Sequence, residues 1–252
     1  MLIRKRLIKY IEAGQTPEGN DYSFPAFGNL NRTVEAVDEA ASRLNLDNDK
    51  MLAALFWFWK GNEITDEPAL EALKDGDEST AIDIWRGLTN KIEDGSEVWS
   101  DISKKQDVTK KNASAFHNLA VLYFLLQYDI DSETIEFELR FLESNFWQKL
   151  KDDVTDATYK TDKKALQMRF LTALAEDDEV ELSELIKCIA DIDFAAKQDF
   201  LKSVSQKFTA NINTQIETAR KARTANKQQA TAAGETLYKN TNSSKQKFVF
   251  FQ

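Results

Sequence analysis

Apolar side chains recur at three- and four-residue intervals along most of this chain, and few residues stand ready to interrupt a helix. Only 3 prolines and 8 glycines punctuate 252 residues. A 3.6-residue period gathers apolar side chains on one helix face, where burial against a neighbour is favourable. Ala, Leu, Lys, Glu and Gln lose little rotamer freedom in the α conformation, and they fill the remaining positions. The pattern predicts an all-α fold with no credible strand.

The opening MLIRKRLIKYIEAG places Ile3, Leu7 and Ile11 on one face, with Gly14 as a stop. It lacks the unbroken apolar core of a signal peptide. A turn-rich loop follows, whose Tyr22, Phe24 and Phe27 are expected to pack onto the body. A second helix is expected from Thr33, with Val34, Val37, Ala41 and Leu44 inward. A third runs from an Asp47 cap to Lys60-Gly61, apolar almost all round and so expected to sit centrally. Thr65 is read as the cap of a short fourth helix closed by Asp75-Gly76. Asp77 opens a fifth that presents Ala81, Ile82, Trp85 and Leu88. Residues 90–111 read as a long connection holding one weak helix anchored by Val98, Trp99 and Ile102. Periodicity then returns in three stripes: Phe116, Leu119, Ala120 and Tyr123; Ile135 to Leu150; and Leu166, Phe170 and Leu174. One more helix is read over Val180 to Ile189. From about Asp193 a last long helix carries Leu201, Val204, Phe208, Ile212 and Ile216, after which only alanines occupy its inner face. The chain thus divides into an N-terminal amphipathic helix with its aromatic loop (1–30) and a helical-repeat domain (31–190). A long C-terminal helix (191–238) and a flexible tail ending in Phe248, Val249, Phe250 and Phe251 (239–252) complete it.

Charge is concentrated. Between Asn62 and Asp101 lie twelve acidic and three basic residues, a net −9 that equals the charge of the whole chain. Net acidity without interleaved basic and aromatic residues argues against nucleic acid. The longest apolar run, Met51 to Trp59, is half what a membrane span requires. One cysteine forms no internal disulfide, and one Cys with one His makes no usual zinc site. No Gly-rich phosphate loop or nucleophile elbow is present. Asp75-x-Asp77 and Asp129-x-Asp131 open like calcium loops, but Thr80 and Thr134 replace the required Gly. His117 is read as a satisfied, partly buried side chain and Cys188 as an inert thiol among apolar neighbours. Neither metal nor cofactor is expected.

Phe116-x2-Leu119-Ala120-x2-Tyr123 follows the first helix of a tetratricopeptide unit, with Phe for Trp and Ala for Gly. A large ring there fills the gap between paired helices, and a small residue lets their backbones approach. Gly76, Ala81, Trp85 and Leu88 similarly follow the turn and second helix of such a unit. Ser132 and Glu136 stand where the second helix of the first unit would have Ala and Phe. With FPAFGNLNRT, EAASRL, ALFWFWKGN, GDESTAIDIW and KNASAFHNLAVLYF, residues 1–130 resemble a group of bacterial tetratricopeptide-like helical-repeat proteins. Some of these carry a degenerate J-domain-like segment. The resemblance implies an interaction or chaperone-associated role rather than a chemistry. It also departs at a decisive place: J-domains act through His-Pro-Asp, whereas His117 is followed by Asn118.

The expected architecture is an antiparallel helical-repeat (tetratricopeptide-like) array with a long C-terminal helix. The expected role is a non-catalytic, cytoplasmic protein–protein interaction module. Its acidic patch of Glu63, Asp66, Glu67, Glu71, Asp75, Asp77, Glu78 and Asp83 would meet a basic protein or peptide. Two alternatives come from other classes: an all-helical enzyme with a carboxylate-based site, and a self-assembly protein forming oligomers through the final helix as a coiled coil.

Overall fold

A computed structural model describes residues 2–15, 24–25, 28, 32–90, 92–93, 96–97, 106–126, 131–177, 180–225 and 233–239. It is helical nearly throughout, as the periodicity requires. It forms two compact units, Met1–Leu166 and Gln167–Gln252, whose division falls inside a helix rather than near residue 190.

The first unit begins with α1 (Leu2–Glu12) and α2 (Val34–Arg43), which pack on each other. Gly14 takes φ +62° just beyond α1, a left-handed conformation that glycine adopts without steric cost. Thr33 caps α2 by accepting from Ala36 N at 3.1 Å, as its position in the sequence suggests. No α2 residue is fully buried. Phe24 is buried with its ring edge-on to Phe58 at 5.4 Å, so this part of the aromatic loop does pack down. Tyr22 and Phe27 lie outside the described residues.

α3 (Asp47–Ala54) packs against α8 (Trp147–Val154), while α4 (Glu63–Lys74), α5 (Glu78–Thr89), α6 (Ala113–Leu125) and α7 (Ser132–Glu143) pack each on the next. α6 is buried at every residue from Ala113 to Leu122, and only its last turn is half-buried. It, not the third helix, occupies the centre. Phe116 stands edge-on to Phe137 at 5.8 Å, and Tyr123 lies 6.3 Å from the same ring. The partner ring on α7 is therefore one position beyond Glu136.

Three boundaries differ from the sequence reading. α3 stops at Ala54, six residues before Lys60: the Phe56 and Trp57 N–H groups turn back to the Ala53 and Ala54 carbonyls, and α6 side chains hold the Trp57 carbonyl and both backbone groups of Trp59. α4 starts at Glu63 and is capped by Asn62, whose Oδ1 accepts from Ile64 N at 3.3 Å, instead of Thr65. The stripe from Ile135 to Leu150 is two helices, since Ser144 turns the chain: its hydroxyl donates to Phe141 O at 2.6 Å and accepts from Phe146 N at 3.2 Å. In the connection between α5 and α6, residues 92–93 and 96–97 form a two-residue antiparallel ladder, Ile92 opposite Glu97 and Glu93 opposite Ser96. These residues are thus not helical; the proposed anchors Val98, Trp99 and Ile102 lie outside the described residues. Other boundaries agree. Gly76 at φ +79° closes α4, with Asp77 N bonded back to Ala72 O at 2.8 Å, and Asp77 then caps α5.

In the second unit, α9 (Lys163–Glu176, begun in the first unit), α10 (Leu182–Ile189) and α11 (Lys197–Ala225) supply Phe170, Leu171, Leu185, Ile189 and Phe200 to a core. Gln167 Oε1 accepts from Ala196 N at 3.0 Å within it. α11 begins four residues later than expected. Along it Val204 is buried, whereas Phe208, Ile212 and Ile216 are only half-buried. Ala230 and the segment Phe248–Phe251 lie outside the described residues. Among the described residues no helix is long and apolar enough to cross a membrane.

Candidate interaction surface and polar core

Glu63, Glu67 and Glu71 recur every four residues on α4, and all three are exposed. That spacing puts them in one row along the helix. Ile64 stands beside the row at 85% exposure. Asp75, Asp77 and Asp83 are also exposed, and Glu78 is half-buried. Local cations meet part of this charge: Lys60 reaches Glu67 at 3.1 Å and Lys74 reaches Glu71 at 2.5 Å, all four side chains substantially solvated. Asp77 is engaged as a cap, with Ser79 and Thr80 donating to its carboxylate, and these bonds hold it below the usual carboxylate range.

Asp66 does not belong to that surface. It is fully buried, because on α4 it shares a face with the buried Ala69 and Leu73, on the side facing α5 and α6. Its carboxylate accepts from Asn62 N at 2.6 Å, Trp85 Nε1 at 3.1 Å and Asn118 Nδ2 at 3.4 Å, and also from Ser114. Burial pushes its pKa up, and the hydrogen bonds only partly offset this. Seven of the eight acidic residues read as partner-binding thus remain on or near the surface; the eighth organises the core.

Asp66 is one end of a polar network running through the first unit. Asn118 Oδ1 accepts from Trp59 N at 2.8 Å and Asn118 Nδ2 donates to Trp59 O at 2.9 Å, pairing both backbone groups of one residue. His117 lies between the Glu138 carboxylate, 2.8 Å from Nδ1, and the Trp57 carbonyl, 3.0 Å from Nε2. Both His117 and Glu138 side chains are wholly inaccessible to solvent. Burial acts to lower the His117 pKa, but the adjacent Glu138 carboxylate outweighs it and the net shift is upward. Burial raises Glu138, and His117 only partly counters this. Glu138 Oε1 is buried without a hydrogen-bond partner. Trp59 is fixed from a second side, donating Nε1–H to Asp153 at 2.9 Å with Lys149 Nζ 5.0 Å from its ring centroid.

This network was only partly legible in the sequence. The signal was present as polar residues on buried faces: Ser114, His117 and Asn118 along α6, and Glu136 and Glu138 between the apolar residues of IEFEL. A His–carboxylate pair can orient a general base. Here Nε2, the nitrogen that would face a substrate, is occupied by the Trp57 carbonyl and closed to solvent. Both ring nitrogens are engaged, which leaves none for Cys188.

A cleft of about 180 Å³ occurs in the second unit, lined mainly by Ala175, Leu182, Phe200, Val204 and Phe208 with Lys207 at its edge. Among the described residues no carboxylate lines it; Lys207 pairs with Glu176 at 2.7 Å, both exposed. Among the described residues no three His, Cys, Asp or Glu side chains are grouped to hold a metal ion. Comparison with protein-family models, with curated proteins and with solved structures finds no match to this chain.

Proposed function

We propose that the chain is a non-catalytic, tetratricopeptide-like interaction module of the cytoplasm, whose acidic α4–α5 face binds a basic protein or peptide. One observation carries this reading: the exposed row of Glu63, Glu67 and Glu71 on α4, with Ile64 solvated beside it. Four-residue spacing of like charges on one helix is not needed for stability; it is mildly unfavourable, since like charges four apart repel. The row does provide a negative strip with an apolar contact that a basic amphipathic segment would complement. The sequential packing of α4 to α7, and the Phe116–Phe137–Tyr123 ring cluster, favour a repeat-like array of the kind the sequence resemblance implies. A chaperone-associated scaffold is the setting that resemblance suggests.

The enzyme alternative draws on the two desolvated carboxylates, Asp66 and Glu138. Within the first unit Asp66 is engaged by Asn62, Ser114, Trp85 and Asn118, and Glu138 by His117, so the interaction reading is preferred. Affinity capture from cell lysate at about 0.05 and about 0.5 M salt tests it, because charge-driven contact weakens as the screening length shortens. Partners retained at low salt and lost at high salt are expected. Capture that is indifferent to salt would contradict it.

A further inference from the structure

α3 ends at Ala54, yet the residues that follow, Leu55 to Trp59, continue the apolar helical pattern. The Trp57 N–H still bonds back to the Ala54 carbonyl at 3.4 Å; in a longer helix the Trp57 carbonyl and both backbone groups of Trp59 would also find partners within it. Instead side chains of α6 take them: His117 Nε2 meets Trp57 O, and Asn118 bonds both Trp59 N and Trp59 O. A local helical tendency and distant α6 contacts therefore compete over the same stretch.

One of those side-chain contacts depends on a proton. The His117 ring has an acceptor at each nitrogen, a carboxylate at Nδ1 and a carbonyl at Nε2. Neither acceptor can donate unless Glu138 is itself protonated. Either the ring carries both protons beside a carboxylate, or a protonated Glu138 donates to Nδ1 while Nε2–H donates to Trp57. Both arrangements hold one proton more than the deprotonated pair. Once it leaves, the remaining ring proton is drawn to Nδ1 by the Glu138 charge, and the bare Nε2 lone pair faces the Trp57 carbonyl. The contact then becomes repulsive.

Among the described residues no other group donates to the Trp57 carbonyl. α7 presents Glu138 and the Phe141 ring, 5.0 Å from the imidazole. α3 and its continuation present the Ala54 and Trp57 carbonyls. Asp66 of α4 reaches Asn118, not His117, and Arg86 of α5 is engaged with Glu133 at 3.1 Å.

We infer that Leu55–Lys60 is a two-position segment: His117 and Asn118 hold it out of α3 while one proton bridges His117 and Glu138, and it is released to extend α3 when that proton leaves. The chain has one histidine, so its imidazole nitrogen resonances are self-assigning in the full-length protein. On raising pH above the ordinary histidine range, Nε2 should change from donor to acceptor. On approaching that midpoint from below, the Trp59 amide should exchange up to about tenfold faster per pH unit than intrinsic base catalysis accounts for, as a one-proton event requires, and beyond it this excess should level off. Backbone carbon shifts of residues 55–60 should move towards helical values. In Glu138→Gln the side-chain amide can donate to Nδ1 of a neutral ring, leaving Nε2–H on Trp57 at every pH, so these responses should vanish with the segment still latched. A wild-type segment unchanged until α6 opens globally would overturn the inference, as would Glu138→Gln responding like wild type. Should that variant fail to fold, the wild-type ring decides: an Nε2 that still donates after the pair loses its proton is incompatible with the latch.

Discussion

At the scale of single residues, the stability of the first unit is tied to a few polar groups in its core. Removing one partner of a buried charged pair leaves the other uncompensated, at a cost of about 3–5 kcal/mol. His117→Phe should destabilise the chain by that order in urea denaturation. An effect near zero would mean that Glu138 finds another partner or water. The pH dependence has a definite sign. His117 and Glu138 both hold protons more firmly in the folded chain than their ordinary values imply. The folded state therefore binds more protons than the unfolded state between those ordinary values and the raised folded ones, and unfolding free energy falls as pH rises through that window. Asp66, raised by burial, adds the same sign at the lower end. Denaturation midpoints between about pH 5 and pH 9 should decline towards the alkaline end, and the decline should be reduced in Glu138→Gln. Gly61 is constrained by contact rather than by backbone angle: a Cβ there would lie 2.7 Å from the Trp59 ring. Gly61→Ala should displace that ring, cost about 1–3 kcal/mol and alter tryptophan fluorescence, with Asp153 losing its indole donor.

At the scale of elements, caps and ring contacts set where helices begin, end and meet. Gly76→Ala would place an L side chain at φ +79° and should cost about 1–2 kcal/mol in the α4–α5 turn, measured by thermal unfolding. Helix existence was legible because it depends on local periodicity, and the Gly14, Thr33, Asp75-Gly76 and Asp77 boundaries were legible because each is a local backbone device. What was hidden depends on partners distant in sequence. Nothing near Ala54 announces that α3 must stop; the side chains that hold the Trp57 carbonyl and the Trp59 backbone beyond it are His117 and Asn118, about sixty positions away. Nothing in the acidic run distinguishes Asp66 from Glu67 until helix phase and the Trp85 indole are known. The split between α7 and α8 is intermediate: Ser144 is a local cue, but an unbroken apolar stripe conceals it.

At the scale of the whole molecule, the proposed function rests on the negative charge of an exposed helix face. Charges on one exposed row act together on an approaching partner, so association rate and salt dependence should respond to them more than folding does. The measurement that bears most directly on this is the affinity of a captured partner for the wild-type chain and for Glu63→Gln/Glu67→Gln/Glu71→Gln at about 0.1 M salt. Loss of at least about tenfold in affinity, with the denaturation midpoint unchanged, is the expected result. Equal affinities for the two chains would contradict the assignment of α4 as the binding face.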